Sequence, residues 1–263
     1  MVLRHEGDSV VAIGQPSHAW ISGQLARAWG NERFGTVEPW EEVCLGAEQH
    51  DVGMAAWDLE PELNPETGRP RSFMEMPLET HLELWSAAPA RLRAQSRYAA
   101  LLVSMHGAAL YERHDLAALG PERGRAVRAF LDGQRLLQDE LLAELRADPG
   151  AAGFARPETV VRNARLVWTW DSLSLALLLD WAPHEIDAVP AATGTVRLRL
   201  SEVGDSAAQV ALDPWPFAAG RVSVRCEGRR LAGRFDDEDE MRAALKRSPW
   251  TTLRFELVPA ARG

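Results

Sequence analysis

Through the first two thirds of the chain, apolar residues return every three or four positions, the spacing that gathers them on one face of an α-helix. Ile21, Leu25 and Trp29 form such a stripe in "PSHAWISGQLARAWGN", and Trp40, Val43, Cys44 and Ala47 form another in "EPWEEVCLGAEQHDVG". Glycine, proline and asparagine punctuate the segments. The pattern predicts helices over 17–30, 38–52, 76–88, 89–106, 121–147 and 157–182, with Pro89 dividing the third from the fourth and "ADPGAAGFARP" looping into the last.

After "VPAATG" the period shortens. "TVRLRLSEVG", "AAQVALD", "GRVSVRCEG", "RRLAGRFDDE" and "TTLRFELVP" alternate, or run with β-type residues, between turn signals, and one short helix interrupts them over 237–247. The expected fold is mainly α: a helical domain over 1–190 with a small, β-rich α+β appendage over 191–263 packed on it. "DPWPF", at 213–217, reads as a rigid turn whose apolar residues fasten the appendage to the helical body.

Composition narrows the function classes. The 263 residues, 46% of them hydrophobic, suffice for a sizeable core. A net charge of −9 disfavours nucleic acid and anionic membranes, which repel such a surface at long range. No basic start leads into an apolar run, and no stretch approaches the roughly 18–20 apolar residues of a membrane span. These features predict a cytoplasmic protein. Its two cysteines, Cys44 and Cys226, are far apart and read as buried thiols rather than a disulfide.

Ionisable residues interrupt the apolar stripes in a consistent way. His18 continues the Ile21 stripe one turn earlier, and His50 and Asp51 continue the Cys44 stripe. His81 falls between Leu78 and Trp85, His106 below Leu102 and Val103, and Asp171 in the register of Val167, Leu175 and Leu178. Residues three and four apart share a helix face, so all six point inward. An unpaired buried carboxylate costs several kcal/mol, and one cation shared by the set removes that cost for all of them. Imidazoles mixed with carboxylates suit Fe, Mn or Zn.

"QHDVG" resembles the doublet of the HD superfamily of metal-dependent phosphohydrolases, in which a histidine, a His-Asp pair and a late aspartate come from successive helices. His18, His50, Asp51 and Asp171 follow that order. His81 and His106 are similar to the extra ligands of the binuclear branches, the HD-GYP proteins and cyclic-nucleotide phosphodiesterases. "HAWISGQLARAWGN" and "EQHDVGMAAWD" also resemble blocks of a bacterial family of HD-like proteins without an assigned activity. The resemblance spans residues 14 to 180 and implies an HD-like helical bundle holding two divalent ions, Fe or Mn before Zn or Mg. In those branches the doublet aspartate, the position of Asp51 here, bridges the ions, and the resemblance implies a metal-activated water that hydrolyses a phosphomonoester or phosphodiester. The same superfamily includes di-iron oxygenases, and a non-catalytic ligand-binding protein is the third reading. Two departures bear on substrate: Met54 stands where "HDIGK" has lysine, and Met105-His106 replaces the tandem histidine of HD-GYP proteins.

Two loops are expected at the mouth of such a site. They carry Arg69 and Arg71, presented by a turn at Gly68 and Pro70, and Tyr111, Arg113 and His114. The arginines are candidate clamps for a small phosphorylated substrate. His114 is the candidate acid for the leaving oxygen beside Asp51, and a homodimer is left open. His5 and His184 lie outside the inward register and are expected at the surface.

Overall fold

The computed structural model of the chain describes residues 1–261 except 114, 117 and 205. It opens with a hairpin. Strands β1 (Val2–Glu6) and β2 (Ser9–Ile13) pair antiparallel across a turn in which Gly7 adopts a φ of +59°. That left-handed conformation is cheap only for glycine.

The helical segments then follow in order. They are α1 (Gln15–Ala28), α2 (Trp40–Glu48), the one-turn α3 (Ala55–Leu59), α4 (Leu78–Arg93), α5 (Arg97–Glu112), α6 (Pro121–Ala147) and α7 (Pro157–Leu179). A two-residue pair, β3 (Leu63–Asn64) and β4 (Arg69–Pro70), lies between α3 and α4. The division expected at Pro89 falls elsewhere. Pro89 is buried inside α4, and the break comes at Ser96, whose Oγ accepts from the Ala99 amide at 3.1 Å and caps α5.

Beyond α7 come β5 (His184–Pro190), β6 (Thr195–Val203), β7 (Ser206–Asp213), β8 (Val222–Ala232), α8 (Glu238–Arg247) and β9 (Trp250–Pro259). "RRLAGRFDDE" does not start a strand of its own, because β8 runs on through it to Ala232. The seven long strands form one curled sheet in the order β1-β2-β8-β9-β7-β6-β5, antiparallel except for the parallel β7–β9 pair.

This corrects the expected fold class. The chain is about half helical, with a large mixed sheet, and is neither all-α nor an HD-like bundle with a small appendage. The physical reason is the hairpin at the start: β2 pairs with β8, so the first thirteen residues extend the sheet built by the last third. Strands come from both sides of residue 190.

Helices α1 and α7 lie against the sheet, and α2 and α5 pack behind them. One apolar core joins the layers, with Val11, Ile13, Val224 and Leu257 of the sheet meeting Ile21, Leu25, Leu173 and Leu177 of the helices. On the other face, Val10, Ala12 and Leu231 are covered by Met241 and Leu245 of α8. Strand β2 is therefore buried on both faces. "DPWPF" fastens the sheet to the end of α1, although not a separate appendage to a helical body: Gly30 donates to the Pro216 carbonyl at 2.9 Å, Asn31 Nδ2 to that of Trp215 at 2.9 Å, and Phe217 packs edge-on against Trp29. Among the described residues, no helix is long and apolar enough to cross a membrane.

Candidate metal centre

Four segments deliver the buried ionisable groups: α1 brings His18, the turn after α2 brings His50 and Asp51, α5 brings His106 and α7 brings Asp171. Helix α2 ends at Glu48, short of the doublet, and His50 itself helps to close it. Its Nδ1 donates to the Ala47 carbonyl at 2.8 Å, one of the carbonyls a helix end leaves without an intrahelical partner. Next, Gly53 lets the chain press against α4, since a Cβ there would stand 2.6 Å from the Leu84 carbonyl oxygen and 2.9 Å from the Ala88 Cβ.

The hydrogen bonds fix which ring nitrogens face the centre. Ser174 Oγ spends its proton on the Asp171 carbonyl at 2.8 Å, so at 2.6 Å from His18 Nδ1 it accepts. His18 and His50 thus each carry a proton on Nδ1 and, when neutral, turn an Nε2 lone pair inward. The two Nε2 atoms are 3.2 Å apart. His18 Nε2 is 2.8 Å from Asp51 Oδ2 and 3.4 Å from Asp171 Oδ1, and His50 Nε2 is 3.6 Å and 3.4 Å from the same oxygens. Four lone-pair-bearing atoms converge with no donor among them. A proton or a metal ion must hold them together.

Electrostatics agree. Burial disfavours the charged form of His50, but Asp51 and Asp171 outweigh it and raise its pKa to about 9. Burial likewise opposes ionisation of Asp51 and Asp171, yet the facing imidazoles hold both well below the usual carboxylate range. The centre attracts positive charge.

His106 differs. Its Nε2 lies 3.7 Å from Asp171 Oδ2, and its Nδ1 is buried without a partner. Burial, opposed by Asp171, pushes its pKa down to about 4, so it is a neutral imidazole. Two trios have ligand atoms close enough to hold an ion, His18–His50–Asp51 and His50–His106–Asp171. Asp171 joins them, with Oδ1 toward His18 and His50 and Oδ2 toward His106. The donor set fits a divalent ion: imidazoles with oriented Nδ1 protons, two carboxylates, and an orphaned buried nitrogen.

The remaining candidates lie around this cluster. A cavity of about 240 Å³ opens onto it, lined by His18, Asp51, His106 and Asp171 and by apolar residues including Phe73, Met74, Met76, Leu110 and Leu175. His81 also lines it, outside both trios. Its Nε2 accepts from Trp85 Nε1 at 2.9 Å, so its Nδ1 carries the proton and meets the Tyr111 hydroxyl. Tyr111 therefore stands behind His81. Arg69 bonds to His5 and Asp8 in a neighbouring crevice, Arg71 pairs with Glu62 at 3.4 Å, and Arg113 lies over Trp168 on another side of His106. Among the described residues, no arginine or lysine lines the cavity at the cluster. His114 lies outside the described residues. His5 is exposed as expected, whereas His184 is half-buried and bonds Ser172 Oγ at 2.9 Å. Sequence reasoning passed over Ser174, which orients His18; the legible signal was a polar residue one turn after Asp171 in the apolar run "WDSLSLALLL".

Fold and centre together define a mixed α+β protein with a buried histidine–aspartate cluster open to a cavity. A family model described as "Protein of unknown function (DUF3891)" matches residues 1–233, and the chain belongs to that family. The match takes in every ligand candidate and the sheet through β8. No curated protein and no solved structure matches the chain.

Proposed function

We propose that the protein is a metal-dependent hydrolase of small phosphate esters, with His18, His50, Asp51 and Asp171 holding a divalent ion and His106 facing a second position beside Asp171. The observation that carries this reading is the convergence of two carboxylates and two imidazole Nε2 atoms on one point that, with the imidazoles neutral, no donor among the described residues serves. A divalent ion held there would supply Lewis acidity, lowering the pKa of a bound water toward roughly 7 and offsetting charge on a phosphoryl group. The chain orients the ligands: Ser174 and the Ala47 carbonyl fix the tautomers of His18 and His50. The apolar wall of the cavity limits water around the reacting group. His81, with its proton on the nitrogen facing Tyr111, is a cavity residue held in place rather than a ligand in this reading. Two buried unpaired cysteines fit a reducing compartment, and we place the protein in the cytoplasm.

Elemental analysis of the purified protein, then dialysis against chelator and assay on phosphomonoesters and phosphodiesters, tests the proposal. We expect stoichiometric Fe or Mn and activity that disappears and returns with the metal. Turnover that survives complete metal removal overturns it. That none of the described residues on the cavity wall is an arginine or lysine favours one rival, oxidation of an apolar substrate at a di-iron centre on the same residues. Oxygen uptake by the Fe(II)-loaded protein distinguishes the two.

A further inference from the structure

The cavity at the cluster is small. Its volume of about 240 Å³ lies below the roughly 300–1,000 Å³ of ordinary ligand pockets, so it holds a reacting group more readily than a whole metabolite. Beside it lies a crevice of about 580 Å³ between β1, β4 and the end of α7. Met74 lines both spaces. On α7, Leu175 faces the cavity and Leu179, one turn later, faces the crevice. The two spaces meet at Met74, whose flexible, 64% exposed side chain sits on a single turn clamped by the Ser72–Glu75 capping box.

The crevice holds a guanidinium with no direct carboxylate partner among the described residues. Arg69 donates from Nη1 to His5 Nδ1 at 3.2 Å and from Nη2 to the Asp8 carbonyl at 2.9 Å. Those acceptors fix its orientation without cancelling its charge. Among the described residues no carboxylate pairs with it, whereas nearby Arg71 is matched by Glu62. The crevice's other guanidinium, Arg4, is used on the Leu177 and Leu178 carbonyls at the end of α7. Of the two carboxylates there, Glu75 accepts from the Ser72 amide and Asn64 Nδ2, and Asp180, whose backbone ends α7, has an exposed side chain that pairs with neither guanidinium among the described residues.

We propose that this crevice is the outer half of the substrate site, and that Arg69 binds a second anionic group of an elongated phosphate ester whose reacting end lies at the cluster. The inference rests on the hydrolase reading above. It makes Arg69 a specificity residue and Met74 the gate between the halves, and it explains how a cavity without cationic walls serves an anionic substrate.

Titration calorimetry of the Mn-loaded protein with methylphosphonate, and with α,ω-alkylenediphosphonates of increasing spacer length, tests this. Methylphosphonate reports the cluster alone. A diphosphonate long enough to reach Arg69 should bind at least about tenfold tighter, as expected when a second charge-assisted contact is added within one ligand. Arg69→Gln should erase that gain and leave methylphosphonate affinity unchanged, which also shows that the variant is folded. Metal-dependent methylphosphonate binding beside diphosphonate affinities that depend neither on spacer length nor on Arg69 overturns this inference alone. If methylphosphonate ignores the metal, the hydrolase reading falls and takes the inference with it.

Discussion

His50 has one nitrogen to offer. Its Nδ1 is committed to the Ala47 carbonyl, so a single Nε2 serves both trios, and any second ion must rely on His106 and the outer oxygen of Asp171. Substitutions should therefore fall into ranks. His50→Ala should abolish tight Mn binding, and Ser174→Ala should weaken it about 10- to 100-fold, the usual cost of losing a partner that orients a ligand. His81→Ala should leave metal content unchanged, because both of its nitrogens are occupied; loss of an ion in that variant would return His81 to the ligand set. Protons compete for the same centre. With its pKa held up at about 9, His50 carries a proton at neutral pH in the metal-free protein and must release it to bind an ion, so affinity should rise with pH up to that point. Calorimetry in buffers of different ionisation enthalpy reads the released proton directly. In the metal-free protein, His50 also contributes stability below its unfolded pKa near 6.5, and that contribution is lost as pH rises through about 9. The melting temperature should accordingly fall between pH 7 and 9 without metal.

Elements with a single clean period were legible in the sequence, and elements buried on two faces were not. Helix α6 occupies the expected 121–147 because one face is apolar and the other charged. Strand β2, "SVVAI", shows no alternation because Val11 and Ile13 face the helices while Val10 and Ala12 face α8. A short unbroken apolar run does not separate strand from helix. The doublet's surroundings were partly legible. The role of Gly53 is close packing, which depends on α4 and is invisible from local pattern. Gly53→Ala should force the turn carrying His50 and Asp51 away from Leu84, costing about 1–3 kcal/mol as an overpacked site does. Denaturant unfolding measures the cost, and a parallel loss of metal affinity would tie it to the doublet. Likewise, the ligand candidates could be chosen from inward register alone, whereas excluding His81 needed its partners Trp85 and Tyr111, thirty residues apart in the case of the hydroxyl.

At the level of the molecule, the sheet begins and ends the chain, and the cluster lies in helices that share its core. A boundary at 190 would cut β5 from β6, its antiparallel partner, and would leave residues 191–263 without the β1–β2 strands that pair on β8. A fragment of those residues should therefore lack the cooperative fold, since one edge of β8 and the α1 side of the core are both lost. The intact chain should unfold as one unit. A metal ion bound only by helix and turn residues should then stabilise the sheet equally, raising the whole transition by about 2.7 kcal/mol at a hundredfold excess over Kd. Two probes decide the matter: far-ultraviolet dichroism for the bulk secondary structure, and hydrogen exchange of β8 and β9 amides, far from the cluster in sequence. Equal gains at both on adding Mn would establish that the centre and the sheet belong to one cooperative structure. Protection confined to α1, α5 and α7 would mean that the helical layers hold the ion as an independent unit, with the shared core contributing little to their coupling.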